Sequence, residues 1–157
     1  MDQHEKFMQM AIDMASSGMN NNIGGPFGCI VVKDGEIVGK GCNSVASTND
    51  PTAHAEVVAI RDACKNLNSF QLDGCYIYTS CEPCPMCLGA IYWARAVKVY
   101  YGCTRQDAAA YQFDDDFIYK EMDLPFEDRQ IPMYQCNRKE AVKVFRAWKE
   151  KDNKTEY

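Results

Sequence analysis

The sequence TSCEPCPMCLGA, Thr79–Ala90, lies near the middle of the chain and is the stretch from which the fold there can be predicted. The β-rich run CYIYTS leads into it, and EPCPMCLGAIYWAR continues it with prolines and apolar residues, so the stretch predicts a buried strand that turns into a helix. Cys81, Cys84 and Cys87 recur at intervals of three residues. Because residues three apart share one face of a helix, Cys84 and Cys87 are expected to lie close together, with Cys81 shaping the turn before them.

On both sides of this stretch, β-rich runs alternate with helical patterns. FGCIVV and EIVGKGCN flank KDG, which predicts an Asp-Gly hairpin, and AVKVYYG and IPMYQCN complete the candidate strands. We expect a first helix that ends at SSG, a second that begins at Asp50 and Pro51, and a last helix over RKEAVKVFRAWKEK. This alternation indicates a single α/β domain over residues 1–157, with a mixed sheet covered by helices on both faces.

Bulk composition limits the class of protein. The 157 residues carry a net charge of −5, and no apolar run approaches the roughly 20 residues of a membrane helix. The acidic balance argues against a nucleic-acid partner and favours a small, uncharged substrate. The N-terminal sequence MDQHEKFMQMAIDMA has no signal-peptide pattern, so we expect a cytoplasmic protein, in which the nine cysteines are reduced. The cysteines outside the motif are expected mostly in or near the core: Cys29, Cys42, Cys64, Cys75, Cys103 and Cys136.

Residues that commonly bind metals occur in two places, at His54 and at the central cysteines. One imidazole with the thiolates of Cys84 and Cys87 makes a three-ligand zinc site with an open fourth position, the arrangement of catalytic zinc. A structural zinc with Cys81 as fourth ligand, an iron–sulfur site on the three cysteines, and a Cys84–Cys87 redox pair are the alternatives. The iron–sulfur interpretation lacks a fourth nearby cysteine, and the redox interpretation leaves His54 and Glu56 without a role.

Glu56 lies two residues after His54 and therefore on another side of the predicted helix. In that position it is not equivalent to the ligands, but it can reach a water on the metal, take its proton and hand it on. The alternative is a first-turn glutamate that only complements the helix dipole.

HAE at His54–Glu56, followed by PCPMC at Pro83–Cys87, matches the H-x-E…P-C-x-x-C signature of zinc-dependent cytidine and deoxycytidylate deaminases. The resemblance covers nearly the whole chain. GGPFG, NDPTAHAEV, YTSCEPCPMCLGAIYWAR, FDD and FIYKE are similar to the bacterial guanine deaminases of this family. The chain resembles the tRNA adenosine deaminases more distantly, because those share HAE and the cysteine motif but diverge after the helix that follows it.

The resemblance implies a three-layer α/β/α sandwich with a five-stranded mixed sheet, and hydrolysis of guanine to xanthine and ammonia. One zinc ion per chain would bind the imidazole and the two thiolates, and Glu56 would carry a proton from water to the base. A second proton must reach the leaving amino group. Within the acidic run DDD, residues 114–116, the resemblance assigns this step to Asp115, although such a run by itself is typical of a solvated loop.

The resemblance also implies how the substrate is bound. Asn43 would pair with the purine edge through an amide that can donate and accept, and backbone N–H groups near Ala55 and Cys84 would face the ring oxygen. The relatives close their site with the C-terminal tail and exchange C-terminal segments, which implies a homodimer in which residues 137–157, ending at Tyr157, cover the site. The aromatic candidates for the walls around the base are Phe27, Trp93 and Phe113.

Other functions remain open at this point. A guanosine, cytosine or cytidine deaminase would carry the same motif, because pocket shape selects the base. The net charge of −5, FDD and the KTEY terminus argue against a tRNA adenosine deaminase. A structural-zinc interaction module would need a fourth protein ligand, for which Cys81 is the candidate.

Overall fold

The computed structural model describes residues 2–113 and 115–157. The chain forms two compact units, one ending at Asp116 and one over Phe117–Tyr157. The elements of the first unit are α1 Gln3–Asn20, β1 Gly28–Lys33, β2 Glu36–Cys42, α2 Val45–Thr48, α3 Ala55–Leu67, β3 Cys75–Cys81, α4 Pro85–Ala94, β4 Lys98–Cys103 and α5 Arg105–Ala110. They are followed by α6 Asp116–Met122, a 3-10 turn at Phe126–Asp128 and α7 Arg138–Glu150.

The sheet of the first unit has the strand order β2-β1-β3-β4. β1 is antiparallel to both of its neighbours, whereas β3 and β4 are parallel. β2, β3 and β4 therefore run in one direction, and their carboxyl ends meet the amino end of β1 at one edge. Asp34 and Gly35, with φ angles of 51° and 82°, form the expected hairpin turn between β1 and β2.

The expected α/β fold with a mixed sheet is confirmed, but the expectation of five strands is wrong. In the described part of the chain the sheet has four strands, and IPMYQCN does not pair with it. Pro132 has no N–H group to donate to a β-ladder. Ile131 and Tyr134 are 81% and 79% exposed, so no buried face marks this segment as part of a sheet.

Two clusters of apolar side chains cover opposite faces of the sheet. In β1, Cys29 and Val31 belong to the cluster beneath α3 and α4, whereas Ile30 and Val32 belong to the cluster beneath α1. Successive side chains of a strand point to opposite faces, so this alternation puts a helix layer on each side of the sheet. The expected covering of both faces is therefore observed.

α1 continues through the SSG sequence instead of ending there. Gly18 is buried against Cys42, and a Cβ at this glycine would lie 2.8 Å from the Cβ of Cys42. The glycine thus allows a close approach of helix and strand, and the helix ends only at Asn20.

α3 begins later than expected, at Ala55. The Asp50 carboxylate accepts hydrogen bonds from the backbone N–H and the hydroxyl of Thr52, at 2.8 and 2.6 Å. These bonds hold a turn where the sequence predicts the start of the helix, and His54 becomes its N-cap residue.

The cysteines outside the motif are not all close to the core. Cys103 and Cys136 are exposed, which corrects the expectation for both. Cys103 ends the edge strand β4, and Cys136 lies in the segment that the sheet does not include. The four in or near the core are Cys29, Cys42, Cys64 and Cys75.

Gly41 sets the distance between β2 and α3. A Cβ there would lie 2.4 Å from the carbonyl oxygen of Ala55 and 2.5 Å from the backbone nitrogen of Ala59. We expect Gly41→Ala to lower the free energy of unfolding by about 1–3 kcal/mol, because the added methyl group must push α3 away from the sheet. Urea unfolding followed by circular dichroism measures this loss.

Gly89→Ala is the matched control for that substitution. Gly89 lies inside α4, and nothing is within 4 Å of a Cβ at this position. Alanine should therefore raise the stability by up to about 1 kcal/mol through its higher helix propensity. A Gly41→Ala protein as stable as Gly89→Ala would show that α3 is not held against β2 at this point.

Candidate active site

The predicted ligands meet at the carboxyl edge of the sheet. His54 is the N-cap residue of α3, which follows β2, and Cys84 is the N-cap residue of α4, which follows β3. Pro85 occupies the first position of α4, where its missing N–H group costs no hydrogen bond, and Cys87 follows in the first turn. Two helix starts at the same edge of the sheet thus bring one imidazole and two thiols together.

The geometry of these three side chains fits a tetrahedral metal ion. The ligand atoms of His54, Cys84 and Cys87 all lie within 4.8 Å of one another. The Cys84 Sγ is 3.6 Å from the His54 Nδ1. Bonds of about 2.3 Å to sulfur and about 2.0 Å to nitrogen, at tetrahedral angles, place such atoms about 3.5 Å apart, so the residues are spaced as a zinc ligand set requires.

No fourth His, Cys, Asp or Glu joins this cluster among residues 2–113 and 115–157. The thiol of Cys81, the candidate for a closed structural site, is directed to the carbonyl oxygen of Thr104 at 3.7 Å. A metal bound by three protein ligands keeps a position for water or substrate, which is the arrangement of a catalytic site.

The charges of the cluster favour a cation. The pKa of Cys84 is lowered to about 4, chiefly because Cys87 donates a hydrogen bond to its sulfur, with a further contribution from His54. The same contact with Cys84, together with burial, raises the pKa of Cys87. The pKa of His54 is raised above its usual value, first of all by its contact with the Cys84 sulfur. One thiolate is thus held at the centre of the cluster, where it attracts a divalent metal ion.

Glu56 lies in the first turn of α3, next to the cluster of His54, Cys84 and Cys87. Its side chain is buried, and burial raises its pKa, opposed in part by a hydrogen bond from its own backbone N–H. Burial favours the neutral acid, whereas this hydrogen bond favours the carboxylate. A carboxyl group with a raised pKa holds a proton more readily than an exposed one, which suits a group that accepts and passes on a proton.

A cavity of about 470 Å³ opens beside the cluster. The rings of Phe27 and Phe113 meet in it at right angles, with their centroids 4.9 Å apart. Asp115 lines the same cavity, and its charge contributes to the raised pKa of His54. The predicted site residues in the lining are Phe27, Asn43, His54, Glu56, Cys84, Phe113 and Asp115.

The predicted roles of Trp93, Ala55 and Tyr157 stay predictions. Trp93 is 64% exposed on α4 and is not part of this lining; the guanidinium carbon of Arg95 lies 5.8 Å from its ring centroid. Ala55 is fully buried directly after His54, and its side chain does not line the cavity. Tyr157 belongs to the second unit, so its role stays a prediction. Asp114, the neighbour of Asp115 in the acidic run, lies outside the described residues.

Several lining residues were given no role from the sequence. Glu82, inside the cysteine motif, and Arg105 follow the ends of β3 and β4 almost directly, and Gln112 precedes Phe113. For Glu82 and Arg105, the position after strands that end at one edge was the available signal. The remaining unassigned lining residues are Gly25, Val45, Ala46, Cys81 and Ala108.

Asn43 is oriented by its backbone neighbours. Its Oδ1 atom accepts hydrogen bonds from the N–H groups of Gly25 and Val45, each at 3.3 Å. The oxygen is therefore engaged by the protein, and the amide NH₂ is the group left to pair with a ligand. From the sequence, this amide was expected both to donate a hydrogen bond to the substrate and to accept one. With its oxygen engaged, the amide is now expected only to donate, through its NH₂ group.

We expect Asn43→Asp to lower kcat/KM for a purine substrate by about 10²-fold or more, mainly through a higher KM. A carboxylate can still accept the two N–H groups, so the melting temperature should stay near that of the unchanged protein. It cannot donate to the substrate and repels a ring acceptor. Steady-state kinetics and calorimetry measure both effects, and an unchanged KM would show that the NH₂ group does not bind the substrate.

Comparison with known proteins agrees with this geometry. Residues 1–103 match the model of the cytidine and deoxycytidylate deaminase zinc-binding region. Guanine deaminase from Bacillus subtilis is 57% identical over 154 residues, which cover 98% of this chain and 99% of that protein. Its crystal structure superimposes with a TM-score of 0.96 over 100% of this chain and 99% of that one.

More distant relatives match smaller parts. The tRNA-specific adenosine deaminase of Aquifex aeolicus is 50% identical over 76 residues, covering 48% of this chain and 50% of that protein. A guanine deaminase structure from Nitrosomonas europaea matches with a TM-score of 0.66 and 29% identity, covering 69% of this chain and 63% of that one. With the ligand geometry, the matched region and the full-length relative together, the chain belongs to the zinc-binding cytidine and deoxycytidylate deaminase family.

Proposed function

We propose that this protein hydrolyses free guanine to xanthine and ammonia. The observation that carries the proposal is one cavity, lined by His54 and Cys84 of the ligand cluster and by two carboxyl groups, those of Glu56 and Asp115. The full-length similarity to a guanine deaminase supports guanine as the base, whereas the tRNA-specific relative from Aquifex aeolicus matches about half of the chain.

The protein groups have separate tasks in this reaction. His54, Cys84 and Cys87 would hold the zinc ion, which when bound would supply Lewis acidity and lower the pKa of a water molecule. Glu56 accepts the proton of the attacking water and passes it to a ring nitrogen. Asp115 gives a second proton to the amino group, which leaves as ammonia when the C–N bond breaks, and the proton of the added hydroxyl group, lost as the carbonyl forms, restores the acid form of Asp115.

The rest of the lining binds and orients the base. The NH₂ group of Asn43 pairs with an acceptor on the purine edge. Phe27 and Phe113 supply the apolar walls for a flat ring. Backbone N–H groups near Ala55 and Cys84 are proposed donors to the ring oxygen.

The first experiment is ammonia release from zinc-loaded protein with guanine, guanosine, adenine, cytosine and cytidine offered separately. Turnover of guanine alone is the expected result. Turnover of guanosine but not of guanine would support hydrolytic deamination at this site and reject guanine as the substrate. Activity only on tRNA would assign the protein to the adenosine deaminases, a function against which the net charge of −5 argues.

A homodimer with exchanged C-terminal segments belongs to the same proposal. β4 is an edge strand of the sheet, and the apolar residues Ile131 and Tyr134 are exposed in the segment that was expected to be a fifth strand. A second copy can supply such a strand to an open edge. The tail, residues 137–157 with Tyr157 at its end, would then cover the site of the partner.

Mixing two inactive chains tests this exchange. A Glu56→Gln chain and a chain without residues 137–157 should regain activity when they are refolded together, because one composite site then has all its parts. Absence of recovery, with dimers present in analytical ultracentrifugation, would reject the exchange.

The proposed location of the protein in the cell rests on its cysteines and its helices. All nine cysteines are free thiols, which supports a reducing, cytoplasmic location. Of the helices in the described residues, none has the length and apolar character to cross a bilayer. We propose no nucleic-acid partner.

A further inference from the structure

Glu82 connects the turn between β3 and α4 to the end of β4. Its backbone N–H donates to the carbonyl oxygen of Cys103 at 2.8 Å, which extends the pairing of the two strands. Its carboxylate Oε2 accepts a hydrogen bond from the backbone N–H of Arg105 at 3.0 Å. Arg105 is the first residue of α5, whereas Cys84 lies two residues after Glu82. One residue therefore joins the turn that carries a metal ligand to the start of the next helix.

The first turn of α5 depends on this bond. Thr104 and Asp107 form a capping box, in which the Asp107 N–H donates to the Thr104 hydroxyl at 3.2 Å and the Thr104 N–H donates to the Asp107 carboxylate at 2.8 Å. The capping box satisfies those two donors and leaves the N–H of Arg105 to another acceptor. The carboxylate of Glu82 is that acceptor.

The other end of α5 turns sharply into the cavity. The N–H of Gln112 donates to the carbonyl of Ala109 and the N–H of Phe113 to that of Ala108, each at 3.1 Å. Gln112 has a φ of 72°, and this combination is a Schellman motif. Phe113 and Asp115 come one and three residues after Gln112 and line the cavity together with Glu82. The location of Asp115 relative to the metal ligands thus depends on where α5 begins.

We propose that Glu82 is a positioning residue that places Asp115 for proton delivery by fixing the start of α5 against the turn of Cys84. The inference deepens the proposed deaminase function and rests on it. Its prediction is specific: Glu82 acts as a hydrogen-bond acceptor, and its effect on turnover passes through Asp115.

Two substitutions at Glu82 test the role of its oxygen. Glu82→Ala should lower kcat for guanine by about 10- to 100-fold with one zinc per chain retained, because a misplaced catalytic group costs a loss of this order. Glu82→Gln keeps an acceptor oxygen and should stay within about three-fold of the unchanged enzyme, since only the charge is lost. A Glu82→Gln protein as impaired as Glu82→Ala would overturn the proposal in favour of proton transfer by Glu82 itself.

A double-mutant cycle tests whether the effect passes through Asp115. In an Asp115→Ala background, Glu82→Ala should lower kcat no further, within about two-fold, because the group that Glu82 positions is gone. A full 10- to 100-fold additional loss in that background would overturn the proposal.

Asp62→Ala is the matched control. Asp62 also links two elements through a carboxylate, whose Oδ2 accepts the N–H of Lys40 at 2.9 Å, but it does not line the cavity. This variant should lose stability without a change in kcat. An equal fall in kcat for Asp62→Ala and Glu82→Ala would show that the effect of Glu82 is only structural.

Hydrogen–deuterium exchange separates this inference from the proposed activity. The segment 104–113 should exchange about ten-fold faster in Glu82→Ala than in Glu82→Gln, whichever substrate the enzyme uses, because only alanine removes the acceptor of the Arg105 N–H. If the segment exchanges faster in Glu82→Ala but the unchanged protein does not turn over guanine, guanine is rejected as the substrate. The anchoring of α5 by Glu82 is still supported by that result. Identical exchange in the two variants would overturn the positioning role.

Discussion

Glu56→Gln is expected to lower kcat for guanine by about 10⁴-fold, the upper range for loss of a general acid–base group. Glutamine has nearly the same shape, so the fold and the zinc content should not change. It cannot take a proton from water or return one to the ring, and both transfers are assigned to Glu56. Ammonia release measures kcat, and metal analysis measures zinc per chain.

The control for this substitution is Glu36→Gln. Glu36 is the first residue of β2, at the end of that strand opposite to the site, and it is exposed. The same chemical change there should leave kcat within about two-fold, since exposed substitutions have small effects. A zinc-loaded Glu56→Gln protein that retains a tenth of the activity would reject Glu56 as the proton carrier. That result would also revive the structural-zinc interpretation, for which Glu56 has no catalytic role.

Cys87→Ser is expected to abolish activity through loss of the metal. Cys87 is fully buried in the first turn of α4, and its sulfur lies within 4.8 Å of the ligand atoms of His54 and Cys84. A serine hydroxyl does not ionise as a thiol does. The affinity for zinc should therefore fall by more than about 10²-fold, which is more than the loss that follows from removing a residue that only supports a ligand. Zinc per chain and ammonia release are the two measurements.

Cys103→Ser is the control, because Cys103 is also followed by a helix but is exposed and is not part of the cluster. This variant should keep one zinc per chain. Treating the unchanged protein with a chelator should remove its activity, and adding Zn²⁺ should restore it. Full activity of the Cys87→Ser protein would exclude Cys87 as a metal ligand, and the metal site would then have to be formed by other residues.

The sequence allowed the main features of the candidate site to be predicted, because they depend on short spacings. The three-residue interval between Cys84 and Cys87 keeps both thiols at the start of one helix, although the structure places Cys84 at the N-cap position and only Cys87 in the first turn. The two-residue interval between His54 and Glu56 likewise places the N-cap residue and the first turn of α3 side by side. Family resemblance added Asp115 and Asn43, which have no motif of their own, and the structure places both in the lining of the cavity.

The errors concern features that depend on distant parts of the chain. IPMYQCN has the composition of a strand, but a strand exists only if it has a partner, and this segment has none among the described residues. Pro51 suits the start of a helix, but the hydrogen bonds between Asp50 and Thr52 delay that start.

Local residue order therefore accounts for the hairpin, the strand-to-helix turn at the cysteines and the close placement of Cys84 and Cys87, since each rests on residues a few positions apart. Contacts between residues far apart in the chain account for the rest. The amide of Asn43 is turned by Gly25, 18 residues away, and Glu82 meets the N–H of Arg105, 23 residues away. Such hydrogen bonds form only after the strands have aligned at one edge of the sheet, so no spacing in the sequence could have indicated them.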